Sequence, residues 1–294
     1  MQTITTHLWF DKEAKEAAEF YTSVFENAKI KGTTTLHNTP SGSVDIVTIE
    51  LSGQEFTLLS AGPLFKFNPS VSFLVACKTK DEVDTLWEKL SEGGVALMEL
   101  GEYPFSEKYG WTQGKYGLSW QVMFMGDRKI QQKITPTLMF VREVCGKAEE
   151  AINFYASLFN NAKVGDILRY GRGEEPDKEG TVKHAAFTLL GQGFAAMDSA
   201  RGHNFTFNEA ISLMVHCDTQ EEIDYYWEKL STDPKAEQCG WLKDKYGLSW
   251  QIVPNAMDEM FKEKDEKKIA WVTESFLKMK KFDIGTLKRA YEGK

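Results

Sequence analysis

The sequence predicts an α+β chain of four βαβββ modules, two in each of two tandem copies, followed by a helical tail. Three observations carry this. The stretch Gly110-Trp111-Thr112-Gln113-Gly114-Lys115-Tyr116-Gly117-Leu118-Ser119-Trp120-Gln121 returns as Gly240-Trp241-Leu242-Lys243-Asp244-Lys245-Tyr246-Gly247-Leu248-Ser249-Trp250-Gln251, nine of twelve positions matching at an offset of 130, from Trp120 to Trp250. The order strand, helix, three strands can be read twice within each copy. Beyond residue 254 the alternating pattern gives way to helical spacing.

The first module opens with alternation over residues 3–10, which places Ile4, Thr6, Leu8 and Phe10 on one face of a strand and Thr5, His7 and Trp9 on the other. Between Lys12 and Glu26, Ala14, Ala17, Ala18, Tyr21 and Phe25 form one apolar stripe, so this segment is predicted helical. A strand over 28–36 follows, then a turn at Pro40-Ser41-Gly42. A hairpin over 44–51 and 55–60 turns at Ser52-Gly53-Gln54. The second module begins with a strand over 70–77. Thr79-Lys80-Asp81-Glu82 is a capping-box sequence, and Val83, Leu86, Trp87 and Leu90 continue at helical spacing until Gly93-Gly94. Strands near 95–99, 109–113 and 118–124 complete it. The second copy repeats this order, with the capping box Thr219-Gln220-Glu221-Glu222 and the stripe Ile223, Tyr226, Trp227, Leu230.

The repeat also relates Phe20-Tyr21 to Phe154-Tyr155, Asn27-Ala28-Lys29 to Asn161-Ala162-Lys163, and Phe65-Lys66-Phe67-Asn68 to Phe205-Thr206-Phe207-Asn208. The offset drifts between 130 and 140, as loops change length and elements do not. The domain boundaries read as 1–125 for the first copy, 126–133 for a polar linker, 134–254 for the second copy and 255–294 for the tail. Apolar residues of the tail, including Met260, Phe261, Phe276 and Leu287, suit docking onto a domain.

A chain of 294 residues fits two domains, each large enough to bury a core. The formal charge of −8 argues against nucleic acid or an anionic membrane as partner. The four cysteines, Cys77, Cys145, Cys217 and Cys239, form no C-x-x-C pair and read as small apolar residues. The opening Met1-Gln2-Thr3-Ile4 lacks the basic-then-apolar pattern of a secretory leader, and no apolar run reaches membrane-spanning length, so the expected location is cytoplasmic.

Asn208-Glu209-Ala210-Ile211-Ser212, Trp227-Glu228-Lys229-Leu230, the stretch Cys239 to Gln251, and the ending Met279-Lys280-Lys281-Phe282-Asp283-Ile284 together resemble the vicinal oxygen chelate (glyoxalase/bleomycin-resistance) superfamily. More closely, they resemble its PhnB-like group, often labelled 3-demethylubiquinone-9 3-methyltransferase-like. The resemblance spans nearly the whole chain. It implies tandem glyoxalase-like domains, each of two modules forming an open curled sheet around a cleft. The first copy departs from the group at Gly114, where Asp244 keeps the usual residue.

Superfamily enzymes hold a divalent metal with His, Gln and Glu on inward strand faces. The resemblance carries those positions onto His7, Thr57, Ser70 and Gln121 in the first copy and onto Thr137, Ala195, Ala210 and Gln251 in the second. His7 alone is a strong ligand, with Gln121 a weak second. A metal is therefore admitted in the first domain only, on His7 and Gln121, and no cofactor is expected otherwise. Trp9, Trp111, Tyr109 and Trp241 suit the aromatic wall of a pocket. The expected ligand-binding set is His7, Trp9, Thr57, Ser70, Trp111, Gln121, Thr137, Trp241 and Gln251, with no catalytic residue assigned. Gly171-Arg172-Gly173 and Gly191-Gln192-Gly193 read as turns that open no helix, which argues against methyl transfer despite the group's label.

Three functions remain open on the sequence: a protein that binds a small organic molecule in a metal-poor cleft, a metal-dependent lyase, isomerase or dioxygenase anchored on His7, and an interaction scaffold. The fused copies imitate a homodimer of single-domain relatives within one chain. A homodimer of whole chains is also compatible with the sequence.

Overall fold

A computed structural model describes residues 3–263 and 265–294. Met1 and Gln2 of the leader reading, and Lys264 of the tail, lie outside the described residues.

In the first copy, β1 (Ile4–Phe10), α1 (Ala14–Val24), β2 (Lys29–Thr39), β3 (Gly42–Leu51) and β4 (Gln54–Ser60) form one module. The next comprises β5 (Val71–Cys77), α2 (Lys80–Ser91), β6 (Val95–Tyr103), β7 (Ser106–Gln113) and β8 (Ser119–Phe124). The second copy contains β9 (Ile134–Val141), α3 (Ala148–Leu158), β10 (Lys163–Arg169), β11 (Val182–Leu189) and β12 (Gln192–Ser199). It continues with β13 (Ile211–Cys217), α4 (Gln220–Leu230), β14 (Trp241–Lys243) and β15 (Ser249–Pro254). The tail folds as α5 (Asn255–Lys262), α6 (Glu266–Phe276) and α7 (Ile284–Tyr291).

The predicted caps form. The Thr79 hydroxyl accepts the amide of Glu82 at 3.1 Å, and Thr219 with Glu222 makes a reciprocal capping box. Each replaces orphan donors of a helix N-terminus with an internal hydrogen bond.

The chain divides into two compact units, and neither is a sequence copy. Of the described residues, unit 1 holds 3–22, 27–66, 208–263 and 265–294, with an open seven-stranded sheet in the order β14-β15-β13-β1-β4-β3-β2. Unit 2 holds residues 23–26 and 67–207, with an open eight-stranded sheet in the order β10-β11-β12-β9-β5-β8-β7-β6. Each sheet thus joins a module of one copy to a module of the other: β1 pairs antiparallel with β13, and β5 antiparallel with β9. The linker explains this. Between Phe124 and Ile134 the chain has only to step past β5, and Lys133 is held there, its carbonyl accepting the Ala76 amide at 2.9 Å. A short loop favours the nearest edge. The first and fourth modules then share the remaining sheet.

In unit 1 the apolar face of the sheet buries Leu8, Ile49, Leu51, Phe56 and Trp250, all 2% exposed or less. In unit 2, Phe73, Trp120, Phe140 and Phe194 play that part, with Phe25 5.3 Å from Trp120 between ring centroids. Trp120 and Trp250 therefore lie in the cores, as their alternation with Gln121 and Gln251 requires.

The fourth module departs from the repeat. The sequence suggests three strands after its helix, and the structure has two. Nineteen positions separate Ser91 from Gly110, but only nine separate Ser231 from Gly240, too few for a strand and its return turn. The tail substitutes for the missing strand. The amides of Cys239 and Gly240 donate to the carbonyls of Met279 and Lys280 at 2.9 and 2.7 Å, at the repeat positions where Tyr109 faces Gly101 of β6. Gly240 has φ +82°, and a Cβ there would stand 2.6 Å from the Phe282 ring, so tail and glycine fit only together. Met260, Val272, Phe276, Phe282 and Leu287 are buried, which fixes the tail on unit 1.

Candidate functional site

β1 is the middle strand of the unit 1 sheet, and its polar face carries Thr5, His7 and Trp9. His7 lies opposite Thr57 of β4 on one side and opposite Ser212 of β13 on the other. Beyond β13, the Gln251 side-chain amide of β15 donates to the Ser212 hydroxyl at 2.8 Å. Trp241 of β14 stands opposite Gln251 and meets the imidazole of His7 edge-on, ring centroids 5.1 Å apart at 89°. Trp9 lies 6.0 Å from Trp241 and 5.0 Å from Phe65, both edge-on. Its indole N–H donates to the Gly62 carbonyl at 2.8 Å, which fixes the ring. Alternation along each strand puts these side chains on the face opposite the core.

His7 is 4% exposed, and among the described residues its buried Nδ1 has no hydrogen-bond partner. Burial pulls its pKa down from 6.5 to about 3, so the imidazole is neutral at pH 7. Near this face Lys243 lies 2.8 Å from Glu209. At the start of β1, Thr5 Oγ1 lies 3.0 Å from Nε2 of His216, whose Nδ1 is 3.4 Å from the carboxylate of Asp258 on α5.

The corresponding face of unit 2 has Thr137 at the repeat position of His7. Thr137 lies opposite Ser72 and Ala195. Gln121 accepts from the Tyr109 hydroxyl at 2.8 Å and donates to Ser72 at 2.7 Å. Trp111 donates its indole N–H to Ser119 at 2.7 Å. Burial raises the pKa of Tyr109, keeping the phenol protonated as the donor in this network. Ser70 precedes β5, 3% exposed, with its amide held by Asn68 at 2.8 Å.

The exchange of modules therefore regroups the expected residues. His7, Trp9, Thr57, Trp241 and Gln251 come together in unit 1. Ser70, Trp111, Gln121 and Thr137 belong to unit 2. The glutamine on the sheet of His7 is Gln251 and not Gln121, because β1 pairs with β13 rather than with β5. Phe65 and Ser212 were not singled out. Ser212 follows from pairing β13 with β1, which no local pattern reveals.

His7 and the strand positions beside it, Thr57, Ser212 and Gln251, offer one imidazole, two alcohols and an amide, and the nearby carboxylate of Glu209 is paired with Lys243. Among the described residues no three His, Cys, Asp or Glu side chains come together to hold a metal. A divalent ion is not matched by one neutral nitrogen and weak neutral oxygens, since its lost hydration needs anionic or several strong donors in return. Among the described residues, no helix is long and apolar enough to cross a membrane.

The family model for 3-demethylubiquinone-9 3-methyltransferase matches twice, over residues 2–123 and 132–253. The PhnB protein of Bacillus cereus is 41% identical over 41% of this chain and 97% of its own, with a TM-score of 0.39. Glyoxalase I of Zea mays matches over 89% of this chain and 95% of its own, at 13% identity and a TM-score of 0.55, a likeness of fold alone. No curated protein matches. The chain belongs to the 3-demethylubiquinone-9 3-methyltransferase family, the PhnB-like group of vicinal oxygen chelate proteins, as two tandem copies.

Proposed function

We propose that this protein binds a small organic molecule at the His7 face of unit 1, without a metal. One observation carries the reading: a buried, neutral imidazole with a free nitrogen stands against Trp241, beside Trp9, on a face lined by alcohols and an amide. A free buried nitrogen is costly unless something pairs with it, and partly exposed indole rings give an organic guest apolar surface to cover. The Gln121 face of unit 2 supports a structural role instead, because Tyr109 and Ser72 occupy both ends of its amide.

Methyl transfer is not part of the proposal. Gly191 and Gln192 turn β11 into β12, and no glycine-rich turn there opens a helix to seat a nucleotide-like cofactor. The competing reading is a metal-dependent lyase, isomerase or dioxygenase anchored on His7. Dialysis against zinc, nickel or manganese followed by metal analysis separates the two. The expected result is less than about 0.1 equivalent of tightly held metal, unchanged in His7→Ala, since weak neutral donors retain divalent ions poorly. One equivalent that disappears in His7→Ala would overturn the proposal in favour of the enzyme.

A further inference from the structure

We infer that the second copy carries a site for a soft monovalent cation, Cu(I), on the open face of the unit 2 sheet, with His184 of β11, Met197 of β12 and Met139 of β9 as its three ligands. The site belongs to unit 2, so it does not rest on the small-molecule reading of unit 1.

Strand register brings the three together. Met197 lies opposite Met139. Ala185 lies opposite Ala196, and the next antiparallel step sets His184 beside Met197. The three therefore form one row across the neighbouring strands β11, β12 and β9. They alternate with Phe187, Phe194 and Phe140 of the core and share the face opposite it. Neighbours in such a row stand about 5 Å apart at Cβ, and the outer two about 10 Å. That span lets His184 and Met139 converge on an ion held over Met197, since a thioether turns about three bonds.

Comparison of the copies separates this row from ordinary packing. The first copy has Ile46, Leu59 and Trp9 there, in the same register, with Ile46 opposite Leu59 and Leu59 opposite Trp9. The offsets, 138 from Ile46 to His184 and from Leu59 to Met197 and 130 from Trp9 to Met139, are those of the surrounding repeat. None of the first set is a metal ligand. All three positions differ together in the second copy, as one imidazole and two thioethers.

The donor chemistry selects the ion. His184 is exposed and Met197 half-buried, so an ion reaches them from solvent. Loss of hydration lowers the pKa of His184, with no charged group contributing, which leaves a ring nitrogen unprotonated for coordination at pH 7. No carboxylate or thiolate joins the row, so a hard divalent ion gains too little in return for its hydration. Thioethers and imidazole suit Cu(I).

The test uses the full-length protein with Cys145→Ser and Cys239→Ser, which removes the two partly exposed thiols. Its methionine methyls are labelled with carbon-13, and Ag(I) serves as a redox-inert probe. Of the ten methionine signals, one equivalent of Ag(I) is expected to move two, those missing in Met139→Leu and in Met197→Leu. Leucine nearly conserves the volume, so these variants keep the fold. In anaerobic competition with bicinchoninate, each of them and His184→Phe is expected to bind Cu(I) about tenfold more weakly or worse, through loss of one donor in three. If either of the two signals stays in place, if other methionines move instead, or if one equivalent of Zn(II) moves the same two, the inference fails. Equal Cu(I) affinity in the variants also overturns it.

Discussion

Acidifying the protein from pH 7 to pH 4.5 is expected to remove roughly 2–3 kcal/mol of stability through His7 alone. The native imidazole titrates near 3 because burial disfavours its charged form, while the unfolded chain takes up the proton near 6.5. Between these values the unfolded state binds more protons than the native one. Stability therefore rises with pH across that window and is lost as pH falls through it. Each pH unit is worth about 1.4 kcal/mol. Carboxylates titrate in the lower part of the same range, so the difference between wild type and His7→Phe isolates the residue. Urea unfolding at pH 7, 5.5 and 4.5 measures it. The wild type should lose stability relative to His7→Phe at each step. At pH 7 the variant should be close to wild type or above it, since an apolar ring replaces a buried group with an unmet hydrogen bond. Parallel pH dependence in the two proteins would show that His7 is hydrated or partnered.

The second large effect is expected at Asp244, which is 3% exposed. One carboxylate oxygen accepts the amides of Tyr246 and Leu248 at 2.8 and 3.1 Å, and the other accepts the indole N–H of Trp250 at 2.8 Å. Asp244→Ala strands three donors in a dry interior. We expect a loss of roughly 3–5 kcal/mol, at about 1–3 kcal/mol for each donor left unsatisfied, read as a lowered urea midpoint with an unchanged slope. A loss below 1 kcal/mol would mean that water or a shifted backbone replaces the carboxylate. The first copy shows why the residue differs there. A Cβ on Gly114 would stand 2.8 Å from the Leu90 carbonyl at the end of α2, so no side chain fits. Both copies close this turn through the same backbone bond, Gly114 to Leu118 at 2.9 Å and Asp244 to Leu248 at 3.1 Å, and the second copy adds the carboxylate to it.

What was legible in the sequence was local. The alternation of residues 3–10 gives β1, and Thr79 and Thr219 mark where α2 and α4 begin. His7, Trp9 and Thr57 were legible as neighbours because β1 and β4 belong to one module. The partner of β1 was not. β5, β9 and β13 are all buried apolar strands, and nothing in their periodicity says which of them β1 meets. That choice rests on the short linker after β8, a non-local constraint, and it moves Gln251 rather than Gln121 beside His7. The missing strand of the fourth module was visible only as a length, nine positions in place of nineteen. Its replacement by Met279 and Lys280 lies forty residues away in sequence and leaves no local mark.

The central claim is that His7 is a neutral, buried hydrogen-bonding group for an organic guest and not a metal ligand. Nitrogen NMR of histidine-labelled protein tests it directly, with the His7 signals assigned from His7→Phe. They should remain those of a neutral imidazole at pH 5 and stay unmoved by one equivalent of zinc. Signals that titrate near pH 6.5, or that move to a metal-bound position with one equivalent of zinc, would contradict it.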